Sequence, residues 1–222
     1  MRCSMKKLFQ AIRKKENDAV RELLAKKPEL VSCTAKQPPK KDDGQSPLQV
    51  SLKTGNFEAA NLLLDLGADV NFMEDESCCN DWRAPVLSDA ITAAVMNCRH
   101  NSHTDLGSRV LVEEYSSRER ADEAFAVLKR VLELGADVTK RESYGTTAAE
   151  RLCKTAEQIL PSYSWGEHKA SKTAVVTPEW QSDLSRIIAL LQAYGADFSS
   201  CVNYYNEEQH PLRPFLASVF ER

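Results

Sequence analysis

Residues 43–71 decide the fold. The stretch opens with Asp43-Gly44-Gln45-Ser46-Pro47-Leu48-Gln49, breaks at Gly55-Asn56, and closes with Asn61-Leu62-Leu63-Leu64-Asp65-Leu66-Gly67-Ala68-Asp69-Val70-Asn71. Gly44 supplies a turn, Ser46 is placed to cap a helix whose first position is Pro47, and Gly55-Asn56 ends that helix. A second helix follows at once, with Phe57, Ala60, Leu63 and Leu64 on one apolar stripe. Gly67 then takes the left-handed C-terminal position, where a residue with a Cβ would cost about 1 kcal/mol or more. Ala68 lets the chain pass close to the helices, Asp69 can hydrogen-bond back onto the turn, and Val70 points inward. The predicted unit is helix, turn, helix and an extended excursion. Its closing phrase recurs as Leu134-Gly135-Ala136-Asp137 and Tyr194-Gly195-Ala196-Asp197, with the glycines 68 and then 60 residues apart. Both spacings are near twice a period of roughly 33 residues.

Residues 43–71 resemble one ankyrin repeat. Ser46-Pro47-Leu48-Gln49 stands where the family has Thr-Pro-Leu-His, and residues 61–71 match the family's closing phrase almost letter for letter. Gln49 replaces a histidine that ties neighbouring loops in the family, and an amide can still donate and accept. The resemblance implies an all-α fold: an ankyrin-repeat solenoid of about four helix-turn-helix units with two long intra-repeat insertions and a C-terminal capping helix, in a single domain spanning residues 1–222. Aligned outward, the units fall at 5–33, 43–72, 84–139 with an insertion at 98–120, and 144–199 with an insertion at 157–179; the cap is 203–222. The second helix of the third unit is expected from Glu123 to Leu134, and the terminal helix from Leu212 to Phe220 with Leu212, Phe215, Leu216 and Val219 on one face.

The interval between Gly67 and Gly135 could hold a hidden repeat, but residues 97–117 offer neither a second glycine phrase nor a second helix. Lengthening a loop about tenfold costs only about 2 kcal/mol of closure entropy, which a stack of this size tolerates. The insertions carry apolar residues, Val110-Leu111-Val112 with Tyr115, and Tyr163, Trp165 and Trp180 around Ala174-Val175-Val176. They are therefore expected to fold partly back on the stack, with the flanking helices lengthened.

With 42% hydrophobic and 27% charged residues, the 222-residue chain has enough apolar content for a core. A net charge of -3 gives no basic face for nucleic acid. No apolar run reaches the roughly 18 residues of a membrane span, and the residues after Met1 do not read as a signal peptide. With seven irregularly spaced cysteines, read as reduced thiols, this leads to an expected cytoplasmic location. A monomer is expected, with a dimer through the insertions as the alternative.

The resemblance implies a non-catalytic protein-protein interaction module that binds a protein partner through its concave face and inter-repeat loops. The first loop holds Lys40 and Lys41; the second holds Phe72, Met73, Glu74, Asp75, Glu76, Trp82 and Arg83; the third holds Arg141 and Tyr144. Trp82-Arg83 is the composition enriched at interfaces, although Phe72 and Trp82 could equally pack a loop against the next repeat. If Trp82 meets a partner, its replacement by Ala weakens binding with little change in melting temperature. An alternative is an immunity or inhibitor protein whose acidic second loop neutralises a toxin enzyme. A second is a metal-binding sensor using Cys78, Cys79, Cys98, His100 and His103, whose spacing is poor for zinc. No nucleophile elbow, catalytic cysteine signature or phosphate-binding loop occurs, so neither an enzyme nor a cofactor is expected.

Overall fold

The structure, a computed structural model, describes residues 2–105, 107–171 and 175–217 and is mostly helical. Helix α1 (Arg2–Lys14) packs on α2 (Asn17–Lys26), α3 (Pro47–Lys53) on α4 (Phe57–Asp65), α5 (Val86–Met96) on α6 (Arg118–Glu133), and α7 (Ala148–Ala156) on α8 (Pro178–Ala193). The first helices also pack in series, α1 on α3, α3 on α5 and α5 on α7, as do the second helices α2, α4, α6 and α8. Helix α9 (Ser199–Tyr204) covers α7, and α10 (Arg213–Ala217) packs on α8 and α9. One continuous core results, running from Leu8, Ile12 and Leu24 through Leu52, Leu63, Ile91 and Leu128 to Leu152, Leu184 and the fully buried Trp180.

The glycine phrases share one geometry. Gly67, Gly135 and Gly195 have φ of 79°, 91° and 90°. The following Ala68, Ala136 and Ala196 donate back to Leu63, Val131 and Leu191 carbonyls at 2.9, 3.2 and 3.0 Å, which is the Schellman closure of a helix. Asp69, Asp137 and Asp197 each accept from the backbone N–H two residues on, at 2.8, 2.8 and 2.9 Å. Ser46 and Gln49 form the capping box of α3, and Thr147 with Glu150 repeats it at α7.

The segments expected as insertions, read as folding partly back with lengthened flanking helices, each contain a short antiparallel sheet. Strands β1 (His100–Asp105) and β2 (Val110–Tyr115) form an antiparallel hairpin between α5 and α6, in the register His100 to Tyr115. A smaller one, β3 (Tyr163–Ser164) with β4 (Lys169–Ala170), lies between α7 and α8. The helices that follow do start early, at Arg118 and Pro178. The first hairpin is rooted in the stack: Arg99 forks onto the buried Asp183 of α8 through Nε at 2.9 Å and Nη2 at 2.8 Å, and its backbone N–H adds a third bond at 3.0 Å. His100 stacks on Tyr115 at 5.2 Å between ring centres and tilts against Trp180 at 5.7 Å. Leu111 stays exposed. The side chains of His103, Val110 and Val112, and all of Ala174, lie outside the described residues. Among the described residues the terminal helix runs from Arg213 to Ala217; Leu212, Phe215 and Leu216 are buried, whereas Val219 and Phe220 lie outside the described residues.

Arginines stitch the second helices together. Arg21 pairs with Glu58, Arg130 with Asp65 and Arg186 with Asp122. Arg120 and Arg186 lie over the rings of Phe57 and Phe125 at 4.3 and 4.6 Å. Each such contact spans two successive helix pairs, so it ties neighbours together as well as decorating the surface.

Candidate functional site

The second and third loops are joined by buried polar contacts. Glu74 is almost fully buried, accepting from Gln45 Nε2 and from the Ala84 N–H, both at 2.9 Å. Gln49 Nε2 donates to the Ala84 carbonyl at 2.9 Å, so the amide makes the loop-to-loop tie expected of it. Trp82 is half-buried, and its indole N–H donates to Glu142 of the third loop at 2.9 Å. Arg151 of α7 forks onto the same buried carboxylate at 2.6 and 2.5 Å. Burial works against the charge of Glu142, but the bonds from Arg151 and Trp82 outweigh it and hold its pKa below the usual carboxylate value. Lys53 and Arg151 both lie over the Trp82 ring, at 5.5 and 5.3 Å. Ser143 exchanges backbone and side-chain bonds with Arg83 at 3.0 Å each.

Beneath this junction sits Asp89 of α5, 4% exposed, with Oδ2 lacking a hydrogen-bond partner. Burial pushes its pKa up to about 7; the Glu74 and Glu142 carboxylates push the same way, and Lys53 and Gln49 oppose them.

The residues expected to meet a partner divide into two groups. Lys40, Lys41, Asp75, Glu76, Arg141 and Tyr144 are exposed, with Tyr144 at 70%. Phe72, Met73, Trp82 and Arg83 are half-buried: Phe72 packs on the core and Met73 bridges to Pro85. Glu74 points inward, Asp75 caps the Ser77 N–H at 2.9 Å, and Glu76 pairs with Arg83 at 3.1 Å, so most of the acidic second loop is engaged within itself. A cleft of about 540 Å³ opens beside Phe72, Met73, Asp75, Arg83 and Lys140.

Among the described residues, Cys78 and Cys79 lie apart from Cys98 and His100; the side chain of His103 is outside them. Cys98 is buried and donates to Ala94, and His100 Nδ1 lies 2.8 Å from the Cys98 carbonyl. Cys79 lies against the first loop, its N–H donating to Asp43 Oδ2 at 2.9 Å. Among the described residues no three metal-binding side chains come together. Among them also, no helix is long and apolar enough to cross a membrane.

Sequence reading missed a second cleft, of about 510 Å³, between α7 and α9. Glu150 and Lys154 line it from α7 and Glu157 from just beyond that helix, Ser200, Cys201 and Tyr204 from α9 and Tyr205 from just beyond it, and Tyr144 stands at its rim. The i, i+4 spacing of Glu150 and Lys154 puts them on one helix face, but only the fold brings α9 opposite it.

The family model described as Ankyrin repeat matches residues 43–75, the stretch that forms α3, α4 and the loop after them. No curated protein matches the chain at a significant level. Ankyrin repeats generally mediate protein-protein interaction, and domains built of them are typically non-enzymatic.

Proposed function

We propose that this chain is a non-catalytic module that binds a protein partner through its inner helices and inter-unit loops, and that the pairs α1/α2, α3/α4, α5/α6 and α7/α8 are four ankyrin units closed by α9 and α10. The observation that carries the reading is the treatment of the loops. Glu74 holds the Ala84 backbone N–H and Glu142 the Trp82 indole from inside, while Lys40, Lys41, Arg141 and Tyr144 stay exposed. A surface ordered before binding loses little entropy when a partner docks, so a few aromatic and charged side chains can supply affinity.

Affinity capture from the native cell, followed by mass spectrometry, identifies the partner. Binding of that partner to purified protein is then compared with the Arg141→Glu and Lys41→Glu variants, which alter exposed side chains only. Affinity lowered at least about tenfold by either variant, as expected for loss of a charged anchor, supports the loop surface; unchanged affinity in both refutes it.

A further inference from the structure

We infer that the cleft between α7 and α9 receives a cationic side chain, a guanidinium or an ammonium, presented by a protein partner; this rests on the partner-binding reading above. The cleft combines three features. Its rim carries Tyr144 at 70% exposure and Tyr204 at 63%, far more than an aromatic ring needs merely to fill a core. Tyr204 does not stand alone: Trp165, from the second hairpin and 41% exposed, lies 5.3 Å from it, and Tyr205 packs edge-on at 4.8 Å. Tyr204 is thus backed by rings from two segments distant in sequence, with Tyr144 on the rim of the same cleft.

The charge in the cleft is net negative. Glu150 and Glu157 face it with Lys154 between them, and the Lys154 ammonium is turned onto Thr146 Oγ1 at 3.1 Å. Glu157 is oriented by the Tyr205 hydroxyl, which donates to Oε2 at 3.1 Å, and its other oxygen is 3.9 Å from His210 Nε2. His210 is buried, with Nδ1 accepting from the Leu212 N–H at 3.1 Å, which leaves the proton on Nε2. That N–H has no hydrogen-bond partner, the Glu157 oxygen being beyond hydrogen-bond distance. Burial holds the His210 pKa below its ordinary value, which keeps the ring neutral and leaves the Glu157 charge unopposed by an imidazolium. A carboxylate held in place beside exposed aromatic faces is the chemistry that attracts a cation through its charge and through the ring quadrupoles.

The probe is N-acetyl-arginine amide, titrated into 15N-labelled full-length protein and followed by NMR, with the lysine and citrulline amides as parallel arms. Saturable shifts confined to residues 144–157 and 200–205 are expected for arginine or lysine, the stronger arm naming the cation, and none for neutral citrulline. Tyr144→Ala with Tyr204→Ala should weaken binding at least about 5-fold, since both rings stand largely in solvent and cation contacts of this kind carry that much. Glu157→Gln should weaken it similarly with the fold intact. Equal shifts from citrulline, shifts scattered over other acidic surfaces, or a double variant that binds as well as wild type would overturn the inference. A failed titration alongside a partner whose affinity still responds to Arg141→Glu removes the cleft and leaves the module reading. Cleft binding with no partner that responds to the loop variants does the reverse.

Discussion

Replacing Asp89 by Asn should stabilise the protein, increasingly so as the pH rises. The side chain is buried in α5 with Oδ2 unpartnered and two carboxylates, Glu74 and Glu142, acting on it. In the unfolded chain it ionises near the ordinary carboxyl value; in the folded protein burial delays this to about 7. Between these values the folded state holds a proton that the unfolded state has lost, so stability falls as pH rises and the full penalty is felt above about pH 7. At about 1.4 kcal/mol per pH unit, that span amounts to up to about 4 kcal/mol. An amide of the same shape cannot ionise and escapes the penalty. Urea denaturation of both proteins at pH 4.5, 6, 7 and 8, read by circular dichroism, should give little difference at the lowest pH and a growing advantage for Asp89→Asn above it. Subtracting the two profiles cancels every other titrating group that behaves alike in both. A difference that does not change with pH, or a wild type more stable at pH 8, would show that the carboxylate is solvated or paired and would refute the reasoning.

In the Asp89→Asn background the histidines become visible. Burial lowers the pKa of His100 and His210, so their contribution is present above the ordinary imidazole value of about 6.5 and is lost as pH falls through the lower folded values. A profile flat from pH 7 to 5 would contradict this. Gly67→Ala meets open space and should cost only the left-handed strain of about 1–2 kcal/mol, whereas the Cβ of Gly44→Ala would lie 2.6 Å from Cys78 Cβ and should cost more. Equal losses in thermal melts would count against the distinction. Trp82→Phe keeps a ring beneath Lys53 and Arg151 but deprives the buried Glu142 of an N–H donor, and should cost about 1–3 kcal/mol. An unchanged melting temperature would show that the indole bond to Glu142 contributes nothing to stability.

The helical units were legible because their determinants are local. Ser46 reaches Gln49 three residues on, and Asp69 reaches Asn71 two residues on, so spacing alone implied both contacts. Gly67 could be assigned its backbone because the phrase around it recurs. The insertions were less legible: Val110-Leu111-Val112 reads as apolar, but whether it pairs as a strand depends on residues 100–105, which show little alternation of their own. In sequence Glu74 reads as surface charge because it opens the acidic run Glu74-Asp75-Glu76. Only Gln45 and Ala84, brought to it by the fold, make burial tolerable.

By itself the sequence determined the repeating local geometry, since caps, left-handed glycines and apolar stripes act over two to four residues and need no distant partner. Tertiary structure alone decided which polar groups became buried ties, how Arg99 anchored a hairpin on Asp183, and that α7 and α9 face each other across a tyrosine-rimmed cleft. Those outcomes depend on groups far apart in the chain. Their free energies arise when water is excluded between surfaces that stacking brings together, a quantity no short window of residues contains.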